Sequence, residues 1–360
     1  MLYLLSGIIS LLAFCTVRNK KISYLFLTLM VFMGGLCYNN ADYLIYEDRF
    51  NKYDSDFLAE PIFNLIMKLL NNLNLNYEQA RFIIIFLVLL SFFFFTLKMT
   101  KNVNIVLLLY FIYPFCMDIT QLRFSMGLAV YYWGLYFILN KEKILKKDIF
   151  LYCFFTIIGG LIHSSIFLYL FLLIPILIKN KKTKTIVFLI FILAEIIFVG
   201  INETNYMVSG NTLFEQKINS VLLRTKEDYS LNFHFGYMLT VLFTFLIYYL
   251  FNKILIRKIK ADDNTYEINF INKVFDINLY ILLIIPLMIY IIDLYRLQTG
   301  LLLLDYVSLS YFFDKRDLKG SFIIKLLLLI LPLFVLYRIV LVGVSDLVLL
   351  PLFENNLLLK

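Results

Sequence analysis

Long apolar runs separated by short polar breaks set the pattern of the chain. A transmembrane helix needs roughly 20 mostly apolar residues, and runs near that length recur from one end of the sequence to the other. They predict about twelve spans, at about 2–17, 22–38, 80–97, 103–117, 124–139, 149–162, 163–178, 186–200, 235–251, 276–292, 297–313 and 321–342. The run from Ile149 to Ile178 is long enough for two short helices, divided at Gly159-Gly160 and His163-Ser164-Ser165; one long tilted helix is the alternative. Runs such as Ile83–Phe95 do not alternate, which argues against the strands of a β-barrel. The expected fold class is all-α, a polytopic transmembrane helical bundle. With no Gly/Ser linker or soluble segment, residues 1–360 read as a single integral membrane domain.

Composition agrees with this pattern. Hydrophobic residues make up 62% of the chain, mean hydropathy is +0.84, and only 16% of residues are charged, against roughly a quarter in ordinary soluble domains. The formal net charge of +8 follows membrane topology and is not read as a nucleic-acid signal. Met1–Val17 lacks a basic leader, and its positive cluster Arg18-Asn19-Lys20-Lys21 follows the apolar run, so the first helix is expected to start outside. The inner loops then become Arg18–Lys21, Lys98–Lys101, Lys141–Lys147, Lys179–Lys184, Lys253–Lys273 and Lys315–Lys319. Nearly every lysine-rich cluster falls on that side, as the positive-inside rule requires.

Two sizeable loops face outward, at about 39–79 and 201–233. Within the first, Ile62, Leu65, Ile66, Leu69 and Leu70 recur at helical spacing with polar residues between them, which predicts an amphipathic helix lying in the membrane interface. The four cysteines, Cys15, Cys37, Cys116 and Cys153, lie in or beside apolar runs without metal spacing and read as small buried hydrophobes.

Candidate chemistry collects at the same outer ends. Asp118-Ile119-Thr120-Gln121-Leu122-Arg123 is a polar break between two apolar runs, and ionisable residues at the mouth of a membrane segment are expensive enough to mark a functional site. Level with it fall Asp42, Tyr43 and Tyr46, then Glu60-Pro61, then His163-Ser164-Ser165, then Asp293, Tyr295 and Arg296, with Arg224 and His234 flanking the second large loop. Each has an ordinary structural explanation. Arg123 can snorkel to headgroups, Asp42 can cap a helix, Glu60-Pro61 can mark a helix start, a lone histidine can be a hydrogen-bonded core residue, and Asp293 and Arg296 are spaced to pair on one helical face. Their shared side argues against independent accidents.

The set suits phosphate and sugar chemistry. Arg123, Arg296 and Arg224 offer permanently charged forks for pyrophosphate oxygens. Gln121, Tyr43, Tyr46, Ser164 and Tyr295 add hydrogen-bonding and stacking groups for sugar or pyrophosphate, and His163, Asp42 or Glu60 can take the proton from an attacking hydroxyl. A departing pyrophosphate needs charge stabilisation more than a proton. There is no P-loop pattern and no His/Cys cluster of zinc spacing, so neither ATP-driven transport nor a metal or other cofactor is expected.

The ordered motifs Asp42-Tyr43-x-x-Tyr46, Glu60-Pro61-x-Phe63, Gln121-x-Arg123-x-x-x-Gly127-x-Ala129 and His163-Ser164-Ser165 resemble the EpsG-like branch of the Wzy-type bacterial polymerases for O-antigen, capsule or exopolysaccharide. Arg296, followed by an apolar run containing Tyr306, resembles that family's late arginine. The similarity covers about Asn39 to Pro175 and extends more weakly to about residue 312; the family's usual Arg-Gln order is here Gln121-Leu122-Arg123. The resemblance implies a GT-C-like membrane glycosyltransferase of the bacterial inner (cytoplasmic) membrane with its active site facing the periplasm or exterior. Such an enzyme joins oligosaccharide repeat units carried on undecaprenyl pyrophosphate, in the company of a flippase and a chain-length regulator. Two other readings are a flippase or transporter of lipid-linked oligosaccharide, which predicts a polar path through the helix centres and two-fold internal similarity, and a membrane O-antigen ligase or acyltransferase.

Overall fold

The computed structural model describes residues 2–52, 60–202, 231–260, 265–289, 291–313 and 321–359. Among them 84% are helical and no strand forms, as a chain whose backbone polar groups must be satisfied within lipid requires. The first outer-end elements follow directly from local sequence. After α1 (Leu2–Cys15) and α2 (Lys20–Gly35), a loop leads into the short helices α3 (Tyr43–Asn51) and α4 (Pro61–Asn72). Proline opens α4, where its missing N–H costs nothing. The amphipathic helix is therefore present, but its protein-facing side is Phe63, Asn64 and Met67, while Leu65 and Leu69 of the expected apolar stripe are exposed.

The next long helix, α5 (Tyr77–Met99), starts on a capping box in which Asn76 and Gln79 satisfy each other's backbone N–H groups. The run at 103–117 is divided at Tyr113-Pro114 into α6 (Val103–Ile112) and α7 (Phe115–Thr120), since proline has no N–H for an unbroken ladder. Then come α8 (Leu122–Leu139) and α9 (Lys146–Ile162). The expected division after α9 is there: His163 is extended, and a 3₁₀ stretch (Ser164–Leu172) runs into α10 (Leu173–Leu177). Beyond α11 (Lys181–Asn202) the described chain resumes with α12 (Leu231–Lys260), α13 (Thr265–Ile281) and α14 (Ile284–Leu287). The expected span at 297–313 is likewise two pieces, α15 (Tyr295–Thr299) and α16 (Leu302–Ser310), and α17 (Ser321–Val335) precedes the short α18 (Ser345–Val348) and α19 (Leu350–Phe353).

Five described helical stretches are long and apolar enough to cross a membrane: Tyr77–Met99, Leu122–Leu139, His234–Arg257, Glu267–Leu287 and Phe322–Leu341. Several of the remaining apolar runs form shorter helices, among them α1, α6 and Ser164–Leu177. Lipid provides no hydrophobic drive between helices, so close backbone approach through small residues takes its place. The tightest example is α8 on α9. A Cβ on Gly159 would lie 2.8 Å from the Gly127 carbonyl oxygen, and one on Gly127 would lie 3.0 Å from that of Gly159. Large apolar side chains such as Leu4, Phe150, Ile190 and Phe322 point outward, as a lipid-facing surface demands.

Basic segments meet at one end of the bundle. Arg18 donates to Asn102 (2.8 Å) and to the Phe313 carbonyl (3.0 Å), Lys141 pairs with Asp148, Lys273 donates to the Ile138 and Lys141 carbonyls, and Lys184 pairs with Asp276. These residues come from loops the charge pattern assigned to one face. At the opposite end the segment 345–359 clasps the loop after α2. Ala41 N–H donates to Leu347 (3.0 Å), Tyr38 N–H to Asn355 (2.9 Å) and Leu357 N–H to Leu36 (3.0 Å), and the Asn356 side chain donates to Met33 (2.9 Å).

Candidate active site at the end opposite the basic clusters

Arg123 stands in the first turn of α8, half-buried, and is gripped from two sides. Its Nη1 pairs with Glu60 at the start of α4, and its Nε donates to the Tyr46 hydroxyl of α3 at 3.4 Å. The guanidinium lies over the rings of Tyr46 (5.4 Å) and Phe63 (5.9 Å). Glu60 is 4% exposed and also meets Arg49 at 3.5 Å, so one buried carboxylate faces two arginines. Asp42 does not use its side chain to cap the helix it precedes, so the capping explanation for it fails, whereas Glu60-Pro61 does mark the start of α4 although the Glu60 side chain caps nothing.

Asp42, at the start of α3, is half-buried. Burial pushes its carboxyl above the usual carboxylate range, while the positive charges of Arg296 and Arg123 pull it back down. The two arginines that the sequence separates by many helices thus bear on one acid. Arg296 pairs with Asp293 at 3.0 Å, as their spacing predicted, and its Nε–H is buried without an acceptor among the described residues. Tyr295 lies within reach of the Gln121 and Arg296 side chains.

His163 joins from the opposite flank. Its Cβ approaches the face of α8 at Gly127, one turn along from Arg123, and its ring meets Phe124 edge-on at 5.5 Å. Phe124 in turn packs at Gly300, one turn beyond Arg296. Ser165 sets the imidazole, with its Oγ 2.7 Å and its backbone N–H 3.4 Å from Nδ1. Ser164, the neighbour expected to bind substrate, is not the hydroxyl against the ring.

Tyr43 is placed differently from Tyr46. It is buried, edge-on to Tyr77 at 5.0 Å and against Arg81 at 5.9 Å, and burial raises its hydroxyl to about 12. The structure therefore sets Tyr43 in the scaffold rather than beside Arg123. Asp118 is buried too and accepts from the Tyr110 hydroxyl at 2.8 Å. His234 is buried with Nδ1 2.9 Å from the Met288 carbonyl oxygen. Arg224 lies outside the described residues.

Sequence reasoning passed over Arg81. This fully buried arginine of α5 donates to the carbonyls of Gly34 (2.8 Å), Cys37 (2.5 Å) and Ile119 (3.2 Å), and Asn40 reaches the same Ile119 oxygen at 3.5 Å. It ties the end of α2, whose last carbonyls lack helical partners, to the segment that leads into Arg123. The signal was available: Arg81 is an ionisable residue in the first turns of an apolar helix, the same argument that singles out Arg123.

No group of three or more metal-ligating side chains forms among the described residues. What gathers instead is a partly open cluster of arginines, acids, a tyrosine and a histidine, suited to an anionic, sugar-bearing ligand. No curated protein and no solved structure matches the chain significantly. A family model described as the EpsG family matches residues 5–353, which takes in every element of this cluster. The chain is a multi-pass membrane protein and belongs to the EpsG family, whose membership points to a polysaccharide polymerase of the glycosyltransferase kind.

Proposed function

We propose that the protein joins oligosaccharide repeat units carried on undecaprenyl pyrophosphate into a surface polysaccharide, at the outer face of the bacterial cytoplasmic membrane. The observation that carries this reading is the half-buried Arg123 gripped by Glu60 and Tyr46 at the end of the bundle opposite the basic clusters, with the charges of Arg123 and Arg296 both felt at Asp42. In the reaction a sugar hydroxyl of the incoming unit attacks the anomeric carbon of the growing chain. The new C–O bond forms as the bond to pyrophosphate breaks, the proton passes to a base, and undecaprenyl pyrophosphate leaves with its charge held by Arg123 and Arg296.

Asp42 is our first choice of base. Its raised proton affinity suits a group that must take up a proton, whereas Glu60 is held between Arg123 and Arg49. His163, beside Phe124, is the second choice. Tyr46, Gln121 and Tyr295 line the approach to the two arginines. A GT-C-like arrangement of about twelve spans, a flippase that delivers the units and a regulator of chain length belong to the same reading.

A labelled lipid-linked repeat unit supplied to purified protein tests it. Chain lengthening without added nucleotide supports the polymerase. Transbilayer movement alone would make the protein a flippase, and transfer to a different acceptor would make it a ligase.

A further inference from the structure

A cavity of about 510 Å³ opens between α1, α6 and α17, on a side of the bundle that the proposed chemistry does not use. Its walls are apolar: Phe14 from α1, Phe111 from α6 and Leu333 from α17, with the Ser10 hydroxyl among them. It follows α1 from Tyr3 to Phe14, roughly 16 Å at the rise of an α-helix, or about half the hydrocarbon thickness. A Cβ built on Gly7 of α1 would meet nothing within 4 Å, so the groove is open where that helix has no side chain.

The end of this groove connects covalently to the site. Phe115 and Cys116 close it from α7, the helix that leads into Gln121 and Arg123. Leu349 and Phe353 close it from the 345–359 segment, whose backbone is bonded to Leu36, Tyr38 and Ala41, the residues just before Asp42. Phe353 also stacks on Tyr3 at 4.2 Å, which fixes this roof to the same end of α1. A lipid whose pyrophosphate sits at Arg123 and Arg296 would have its headgroup next to the same two segments, α7 and 345–359, that close the groove.

We propose that this groove binds the headgroup-proximal part of an isoprenoid chain, that of the lipid-linked substrate. The inference rests on the donor named under Proposed function and adds a binding site for its lipid. Each isoprene unit bears a methyl branch and is wider than a straight acyl chain, which is what the missing side chain at Gly7 accommodates. Burial of the chain's carbons against the apolar walls sets affinity, while the arginines set position.

The test uses the full chain in nanodiscs, with undecaprenyl pyrophosphate as the lipid probe and inorganic pyrophosphate as the chain-free one. Gly7→Leu fills the groove from an open position and improves helix propensity, so folding is not at issue. It is expected to weaken undecaprenyl pyrophosphate binding about tenfold and leave inorganic pyrophosphate binding within about twofold. A photoactivatable undecaprenyl probe is expected to label Phe14 or Leu333. Unchanged undecaprenyl affinity in Gly7→Leu overturns the proposal, as does equal loss of both probes. Labelling of the same residues by a phosphatidylglycerol acyl probe that undecaprenyl pyrophosphate fails to displace also overturns it, since an ordinary lipid would then be the occupant. Prenyl binding in the groove without any chain lengthening would keep this inference and sink the polymerase reading. Polymerisation with a groove indifferent to Gly7→Leu would do the reverse.

Discussion

Arg81 and Arg123 stand in the first turns of neighbouring helices at the same end of the bundle, yet their surroundings differ in kind. Arg81 is fully buried and spends its donors on backbone carbonyls from α2 and from Ile119. Arg123 keeps 22% of its side chain exposed and faces Glu60, a carboxylate that another anion can replace. Carbonyl partners have no charge to lose and no freedom to leave, so they make an arginine into a fixed cross-link. A carboxylate partner on a separate short helix leaves an arginine exchangeable. Two residues of the same type are thus set apart by what surrounds them, one as a fixed cross-link and the other, on the function proposed above, as a ligand-binding group.

Substitutions can break that division or sharpen it. The largest effect is expected for Arg123→Ala, which should lower polymer formation about 1,000-fold, the scale of removing a transition-state charge partner, while single repeat units accumulate and the apparent Tm changes little. Normal-length polymer from a well-expressed Arg123→Ala would end its assignment as a ligand-binding group. Asp42→Asn should cost about 100-fold. In the wild type, kcat/KM should fall as pH drops through the pKa of Asp42, above the usual carboxylate range, because the protonated acid cannot accept a proton; the variant's residual rate should be flat there. An unchanged acid limb in Asp42→Asn would move the base to His163.

Arg81→Ala should have the inverse profile. Unsatisfied carbonyls and a vacated buried site are expected to cost about 3 kcal/mol, read as a lower apparent Tm, with KM nearly unchanged in the fraction that folds. A normal Tm with abolished turnover would erase the distinction between the two arginines. A small effect is expected for Ser165→Ala, which removes the hydroxyl 2.7 Å from Nδ1 of His163 but keeps the backbone N–H beside it, and should lower kcat about threefold, the loss of one orienting hydrogen bond. The same change in Ser164 should be silent.

The helical architecture was legible because lipid imposes a simple rule, apolar length for a helix. Two of the lysine-rich loops bond directly, Lys273 donating to the Lys141 carbonyl, and Arg18 reaches Phe313 beside a third. Breaks inside apolar runs were harder to see. Pro114 and Gly300 interrupt sequences whose hydropathy stays high on both sides, so hydropathy alone reads each as one span. At the site, the motif residues Asp42, Glu60 and Arg123 stood out as charges in an apolar context, and Tyr46 as part of the same motif. Tyr43 was grouped with Tyr46 by spacing, but at three residues apart on a short helix the two rings go to different neighbours, Tyr77 and Arg123. Arg81 carried the same mark, a charge in an apolar helix; what the sequence does not show is its role, because its partners are backbone carbonyls.

The clasp between the 345–359 segment and the loop after α2 has a bearing on biogenesis. Asn356 and the Met33 carbonyl it binds are 323 positions apart, so the loop that carries Asp42 enters the membrane long before the ribosome has made its clasp. A nascent or stalled chain therefore holds Arg123, Glu60 and Asp42 without the brace that sets the last of them in place. The placement of Asp42 therefore depends on a segment synthesised after most of the helices of the bundle.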